Sequence, residues 1–145
     1  MNNPLIIKKM KSITQFTAIA CLSLLITGCT LEEGNPDLAG SWTCTETSEI
    51  FVKSTKGTSI YTVTLQRDAA NLDKYYIDNF YKLGNGVRVA VIKTGYSIDL
   101  PKQSVDGFVF EGSGEVNDTF NIIQLYYTAD DGGGEVDHVT AEYAR

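Results

Sequence analysis

The stretch "SIYTVTLQ", from Ser59 to Gln66, alternates apolar and polar side chains. Tyr61, Val63 and Leu65 occupy every second position, and threonine or glutamine follows each of them. Side chains of a β-strand point alternately to its two faces. The pattern therefore predicts a strand with one buried and one exposed face, and it indicates an all-β fold.

Similar stretches make up the rest of the chain from Ala39 onward: "GSWTCTET", "KYYIDNFYKL", "VRVAVIKTG", "YSIDLP", "GFVFEGSG", "TFNIIQLYYT" and "EVDHVTAEY". Turn-forming residues separate them, among them Gly84–Gly86 and the acidic run Asp130–Gly134. We predict an antiparallel meander of about eight strands that closes into a barrel. A two-sheet sandwich is the alternative, although most connections are short for its crossovers.

One predicted strand, "KYYIDNFYKL" from Lys74 to Leu83, does not alternate cleanly. In an unbroken strand, Tyr76 and Phe80 would share one face while Tyr81 shares the other with an isoleucine. Either a bulge lies near Asp78–Asn79 or both faces of this strand are partly covered.

The first 28 residues have the plan of a bacterial export signal. Three lysines precede an almost uncharged apolar run of 14 residues, from Ile13 to Ile26. That run is shorter than the roughly 20 residues of a membrane-spanning helix, so we predict a cleaved signal peptide. Translation could begin at Met1 or at Met10.

The signal ends in Ile26-Thr27-Gly28-Cys29, which resembles the bacterial lipobox. That resemblance implies diacylglycerol on the Cys29 thiol after cleavage; the alternative is an ordinary signal that ends near a chance cysteine. Residues 29–38 are then a polar tether of about 30 Å, on which the barrel of residues 39–145 floats just off the membrane. We expect an outer-membrane lipoprotein of a Gram-negative bacterium, surface-exposed or facing the periplasm.

The mature domain is strongly acidic. Removal of residues 1–28 from the 145-residue chain leaves 117 residues, which carry 9 basic and 18 acidic side chains and a net charge of -9. Such a charge disfavours binding to nucleic acid or electrostatic attraction to anionic lipid. The membrane is therefore reached through the N-terminal lipid, and other expected partners are a small hydrophobic ligand or a surface protein.

Several stretches together resemble one family. "DLAGSW", "YIDNF", "NGVRVAV" and "LYYTADDGGGEVDHVTAEY" are similar to segments of the small lipocalin-like lipoproteins of gut-type Gram-negative bacteria. The resemblance covers residues 37–145 and implies a lipocalin-like β-barrel. It also implies that Trp42, in the Gly40-x-Trp42 pair, closes the base of the barrel. Most lipoproteins of this kind have no assigned activity.

The sequence predicts neither a cofactor nor an enzyme. The only histidine, His138, follows Asp137 directly, and neighbours in a strand point to opposite faces. The glycines on either side of Ser113 are interpreted as turn formers rather than as a nucleophile elbow. Asp130, Asp131, Glu135 and Asp137 lack the regular spacing of a calcium loop and predict a solvated hairpin tip, although calcium binding stays open.

We expect structural roles for the remaining cysteine and for the aromatic residues. Cys21 leaves with the signal and Cys29 is acylated, so Cys44 is expected to be a buried, inert thiol. Three aromatic doublets, Tyr75-Tyr76, Phe80-Tyr81 and Tyr126-Tyr127, would each place one ring on either face of the sheet.

Two functions follow from this fold. In the first, the barrel binds a small apolar or amphiphilic ligand. In the second, the barrel is filled and the protein is an accessory or structural interaction lipoprotein. For the first, the predicted ligand-binding residues are Trp42, Tyr61, Val63, Val89, Phe108, Phe110 and Ile122.

Overall fold

A computed structural model describes residues 36–52 and 57–145. The predicted signal peptide, Cys29 and most of the tether lie outside these residues. In the part that is described, no helix has the length and apolar character needed to span a membrane.

The chain forms eight antiparallel strands in sequence order, and the last strand pairs with the first to close a barrel. The predicted fold is therefore confirmed. The strands are β1 (Gly40–Ser48), β2 (Thr58–Arg67), β3 (Lys74–Asp78), β4 (Arg88–Thr94), β5 (Ser97–Val105), β6 (Phe108–Val116), β7 (Ile122–Asp130) and β8 (Val136–Ala144). A short helix, α1 (Glu49–Val52), follows β1, and a 3₁₀ turn (Phe80–Lys82) follows β3.

The meander gives the barrel two different ends. We call the end where Gly40 begins β1 the entry end; it also carries the connections 68–73, 95–96 and 117–121 and the C-terminus. We call the other the helix end, because it carries α1 together with the connections 79–87, 106–107 and 131–135.

Apolar side chains at alternate strand positions fill the barrel, as the sequence predicts. In β2, Val63 and Leu65 are buried while Thr62 and Gln66 are exposed. In β8, Val139, Ala141 and Tyr143 are buried and the residues between them are exposed. This segregation of apolar side chains into the interior supplies the main stabilisation of the fold.

Trp42 lies inside the entry end. Its indole nitrogen donates to the Leu38 carbonyl at 2.9 Å, and the Arg145 guanidinium lies 4.4 Å from the centre of its ring. Arg145 also donates to the carbonyls of Asp37 and Phe120 at 2.9 and 3.0 Å. The last residue of the chain thus ties the start of β1 to the connection between β6 and β7.

The predicted strand from Lys74 to Leu83 is too long, since β3 ends at Asp78. Asn79, Tyr81 and Lys82 have positive φ angles of 63°, 54° and 58°, which no strand tolerates. This turn sends the Phe80 ring into the barrel, where it is fully buried. The irregular alternation in the sequence therefore marks the end of a strand rather than a bulge.

The strand predicted to end at Pro101 instead continues to Val105 as β5. Its register shifts between Leu100 and Gln103, where Pro101 has no amide hydrogen to give to a neighbouring strand. The Gln103 side chain compensates: its amide group donates to the Ala90 carbonyl and accepts from the Ala90 amide, both at 2.8 Å. A side chain thus replaces backbone pairing with β4.

The glycines that flank Ser113 are not turn formers, because both lie inside β6. A Cβ atom on Gly112 would overlap the Tyr126 carbonyl oxygen, and one on Gly114 would overlap the Gln124 carbonyl oxygen. Here β6 and β7 approach more closely than any larger residue allows.

Candidate functional site

The predicted ligand-binding residues lie mostly inside the barrel. Trp42, Val63, Val89 and Phe110 are at most 1% exposed. Tyr61 and Phe108 are half-buried at the inner face of the helix end.

Ile122 does not join this set. It is 36% exposed on the outer face of β7, and its neighbour Ile123 takes the interior position with 2% exposed. Since alternation fixes the faces of a strand, a shift of one residue reverses inside and outside. The interior residue of this pair is therefore Ile123.

A buried carboxylate, Glu46, lies among these apolar side chains. It is 5% exposed, and its Oε2 atom accepts hydrogen bonds from the hydroxyls of Tyr61 and Tyr127, both at 2.6 Å. Glu46 shares a face of β1 with Trp42 and Cys44, so the strand's own alternation places an acid in the interior. Two short bonds from phenols offset part of the cost of burying it.

A second buried carboxylate, Asp137, lies close by at 1% exposed. Its Oδ2 atom accepts from the hydroxyls of Ser48 and Tyr81 at 2.5 and 2.7 Å, and Oδ1 accepts from the Ile50 amide at 3.1 Å. These donors come from the end of β1, the 3₁₀ turn and α1. One side chain on β8 therefore joins the end of β1, α1 and the 3₁₀ turn at the helix end.

Five aromatic rings pack around the two carboxylates. Phe80 lies 5.1 Å from Phe110 and 4.7 Å from Tyr127, and Tyr81 lies 5.4 Å from Phe108, measured between ring centres. Such separations are those of rings in direct contact. Side chains rather than open space thus occupy this part of the interior.

The structure shows which ring of each aromatic doublet points into the barrel. Tyr75 and Tyr127 point inward while Tyr76 and Tyr126 point outward, as predicted. The prediction is wrong for Phe80-Tyr81, since Tyr81 is only half-buried but its hydroxyl reaches Asp137 in the interior. The 3₁₀ turn causes this difference, because strand alternation does not apply to it.

Cys44 and Tyr143 form a less polar neighbourhood beside Glu46. Cys44 is fully buried, and burial raises the pKa of its thiol to about 12, so the thiol stays protonated and unreactive. Tyr143 lies opposite Cys44 in the β1–β8 pairing. Its hydroxyl lies against that thiol, without a hydrogen bond of good geometry within residues 36–52 and 57–145.

Burial also raises the pKa of Glu46, and the hydroxyls of Tyr127 and Tyr61 oppose this effect by bonding the charged form. A raised pKa in the folded state means that Glu46 favours folding most at pH values below its unfolded pKa. This contribution is lost as the pH rises through the raised value.

Replacing Glu46 by glutamine is therefore expected to remove the loss of folding stability that accompanies a rise in pH. The melting temperature of Glu46→Gln relative to the unsubstituted protein should rise between about pH 4 and pH 8, since glutamine does not titrate there. Glu111→Gln makes the same chemical change at an exposed position of β6 and is the matched control. A constant difference between Glu46→Gln and the unsubstituted protein across this range would contradict the assigned burial effect.

One groove on the outer wall has a volume of about 510 Å³ and crosses β6, β7, β8 and the end of β1. Polar side chains and Tyr126 line it: Thr47, Glu49, Glu111, Ser113, Thr128, His138 and Thr140. A smaller groove, of about 380 Å³, lies on β2 and β3 and is lined only by polar residues.

His138 and Asp137 point to opposite faces, as the sequence predicts. His138 lines the outer groove, whereas Asp137 lies inside the barrel. Within the described residues, no group of three or more histidine, cysteine or acidic side chains is placed to hold a metal ion. Asp130 and Asp131 instead accept hydrogen bonds from Gly132 and Gly133 within their own turn.

Sequence reasoning missed Glu46, and its prediction of a solvated hairpin tip is wrong for Asp137, which is 1% exposed inside the barrel. A signal for both residues exists in the sequence. Each occupies a position where the alternation of its strand requires a buried residue: Glu46 follows Trp42 and Cys44, and Asp137 precedes Val139 and Ala141. An acid in such a position needs hydrogen-bond donors inside the fold. The sequence does not say which donors those are.

No protein-family model matches the chain, and no curated protein matches it. The function must therefore be argued from the residues themselves.

Proposed function

We propose that this protein is a membrane-anchored lipoprotein whose barrel is filled by its own side chains and which acts through its outer surface, as an accessory or interaction protein. One observation carries the proposal: the inner face of the helix end is occupied by rings in mutual contact. A ligand would have to displace Phe80, Phe110 and Tyr127, which are at most 4% exposed.

The hydrogen bonding of the interior supports the same conclusion. Asp137 accepts through both of its oxygens, and Glu46 accepts twice through Oε2. A ligand that took these bonds would leave phenol hydroxyls such as Tyr127 buried without a partner. Leaving a buried polar group without its bond costs about 1–3 kcal/mol.

The outer wall offers a surface for a partner. Its groove of about 510 Å³ reaches the size of ordinary ligand and peptide sites. Tyr126 is 56% exposed there and contributes an aromatic surface beside His138 and several hydroxyl groups. Tyrosine is enriched at protein interfaces because it offers both an apolar ring and a hydrogen-bonding group.

The anchoring rests on the segment Ile26-Thr27-Gly28-Cys29 and the apolar run before it. The proposed location is the outer membrane of a Gram-negative bacterium, on either face. Several acyl chains, each with many methylene groups worth about 0.8 kcal/mol on burial, would make the attachment lasting.

A specific observation favours a second function, the binding of a small amphiphilic ligand. Two carboxylates and the weakly partnered Tyr143 hydroxyl are buried in the interior, where an apolar filling would cost less. Such groups could hold a polar head group if Phe80 and Tyr81 moved away together.

Native mass spectrometry of the detergent-extracted protein separates these functions. A monomer of the mass of the acylated chain, or a complex with a second protein, is expected for the filled barrel. A small molecule that co-purifies in fixed stoichiometry, and that Glu46→Gln releases, would overturn the filled barrel in favour of ligand binding.

The anchor is tested by replacing Cys29 with serine. Incorporation of labelled palmitate is expected to fall to background, because only a thiol at this position accepts the diacylglycerol. Cys21→Ser and Cys44→Ser are matched controls, since they remove the other cysteines of the chain. Label that persists in Cys29→Ser would show that the anchor is elsewhere.

A further inference from the structure

The tether joins the barrel at its entry end. The described chain begins at Pro36, passes the buried Leu38 and enters β1 at Gly40. Leu38 lies nine positions after Cys29, which corresponds to about 30 Å when the chain is fully extended. If Cys29 is acylated, as proposed above, the entry end is therefore the part of the barrel that starts nearest the bilayer.

Large apolar side chains are exposed at this same end. Leu72, in the connection between β2 and β3, is 61% exposed, and Tyr96, in the turn between β4 and β5, is 56% exposed. The half-buried ring of Phe120, between β6 and β7, lies 5.4 Å from that of Tyr96. We call these three residues the entry patch.

The connections that carry the entry patch are physically joined. The amide of Lys93 donates to the Asp73 carbonyl at 2.7 Å, and its ammonium group lies 5.1 Å from the centre of the Phe120 ring. Lys93 thereby links the turn that carries Leu72 to the one that carries Phe120. The turns that carry the entry patch are thus held together at the same end of the barrel.

Two arginines hold the backbone of the patch. Arg67 donates to the Leu72 carbonyl at 2.7 Å, and Arg145 donates to the Phe120 carbonyl at 3.0 Å. Apolar and aromatic tips with guanidinium groups beside them suit the interfacial region of a bilayer, where rings enter the headgroup layer and cations meet lipid phosphates.

Charge does not distinguish the two ends, since exposed acidic residues lie on the connections of both: Glu49, Asp106, Asp131 and Glu135 at the helix end, Asp73 and Asp118 at the entry end. Two features therefore orient the entry end towards the membrane: the entry of the chain and the exposed apolar tips.

We infer that the entry patch docks on the lipid bilayer, so that the barrel stands on the membrane with its helix end outward instead of floating on its tether. This inference rests on the proposed acylation of Cys29. In this orientation the wall groove with Tyr126 and His138 stays accessible to a partner.

The fluorescence of Trp42 reports on the entry end, since Trp42 is the only tryptophan of the chain and lies inside that end, beneath Arg145. The acylated mature protein is placed in phosphatidylcholine vesicles with or without bromine on the acyl chains near the headgroup. Bromine at that depth is expected to quench a large share of the Trp42 fluorescence.

The same measurement on Leu72→Ser/Tyr96→Ser is expected to show at least a two-fold loss of quenching, because the residues that enter the interface by several ångströms are gone. Ile60→Ser/Val136→Ser is the matched control: it also removes two exposed apolar residues, which are 69% and 42% exposed and lie towards the helix end. This control should retain the quenching of the unsubstituted protein.

Mass spectrometry of the same samples keeps the two proposals apart. Acylated protein without quenching, or with quenching that the Leu72 and Tyr96 substitutions leave unchanged, overturns the docking while the anchor stands. That outcome includes an entry patch that binds another protein instead of lipid. An unmodified Cys29 overturns the anchor and, with it, the docking.

Discussion

Replacing Asp137 by alanine is expected to lower the free energy of unfolding by about 2–4 kcal/mol, because each buried donor that loses its acceptor costs about 1–3 kcal/mol. The carboxylate of Asp137 accepts from Ser48, Tyr81 and the Ile50 amide. Its loss leaves the Tyr81 hydroxyl and the Ile50 amide without this acceptor. Urea denaturation of the mature protein measures the effect.

Two further substitutions make this test specific. Asp137→Asn keeps an oxygen acceptor and is expected to cost less than alanine. His138→Ala, at the exposed neighbouring position, should change stability by no more than about 0.5 kcal/mol. If Asp137→Ala and His138→Ala prove equally mild, the carboxylate does not join the connections of the helix end as described.

Replacing Gly114 by alanine is expected to cost about 3 kcal/mol or more, because its Cβ would overlap the Gln124 carbonyl oxygen across the β6–β7 pairing. The obstacle is backbone, so no side-chain rotation relieves it and the two strands must separate.

Whether Gly114→Ala raises or lowers the free energy of unfolding is itself a test of the close approach. Alanine at an open strand position stabilises a protein by about 0.5–1 kcal/mol relative to glycine, since it restricts the unfolded chain. Ser113→Ala, between the two glycines on the exposed face, is the control and should stay within about 0.5 kcal/mol. Stabilisation by Gly114→Ala would refute the close approach of β6 and β7.

The number of strands and the face that each strand buries were predictable from the local sequence pattern. The alternation around Val63 and Leu65 fixes which side of β2 is buried, since a strand repeats every two residues. The same rule fails where the chain leaves the sheet, as at Phe80 and Tyr81. The rule is also ambiguous where two apolar residues are adjacent: the sequence predicts Ile122 inside the barrel, whereas Ile123 takes the interior position.

The candidate site was less predictable than the fold. Glu46 and Asp137 lie 91 positions apart in sequence order, yet the pairing of β1 with β8 brings them to the same end of the barrel. Their hydrogen-bond donors come from β1 itself and from four further elements. Contacts at such separations depend on closure of the sheet, which no window of a few residues contains.

The sequence by itself determined a barrel-forming alternation, an acidic mature domain and the residues that resemble a lipid-attachment site, because periodicity, charge and short motifs are local properties. Only the tertiary structure decided that Glu46 and Asp137 share a packed interior, that Gln103 replaces missing backbone pairing, and that Leu72 and Tyr96 are exposed together where the chain enters the barrel. Each of these depends on distances between strands remote in sequence, which closure of the sheet sets.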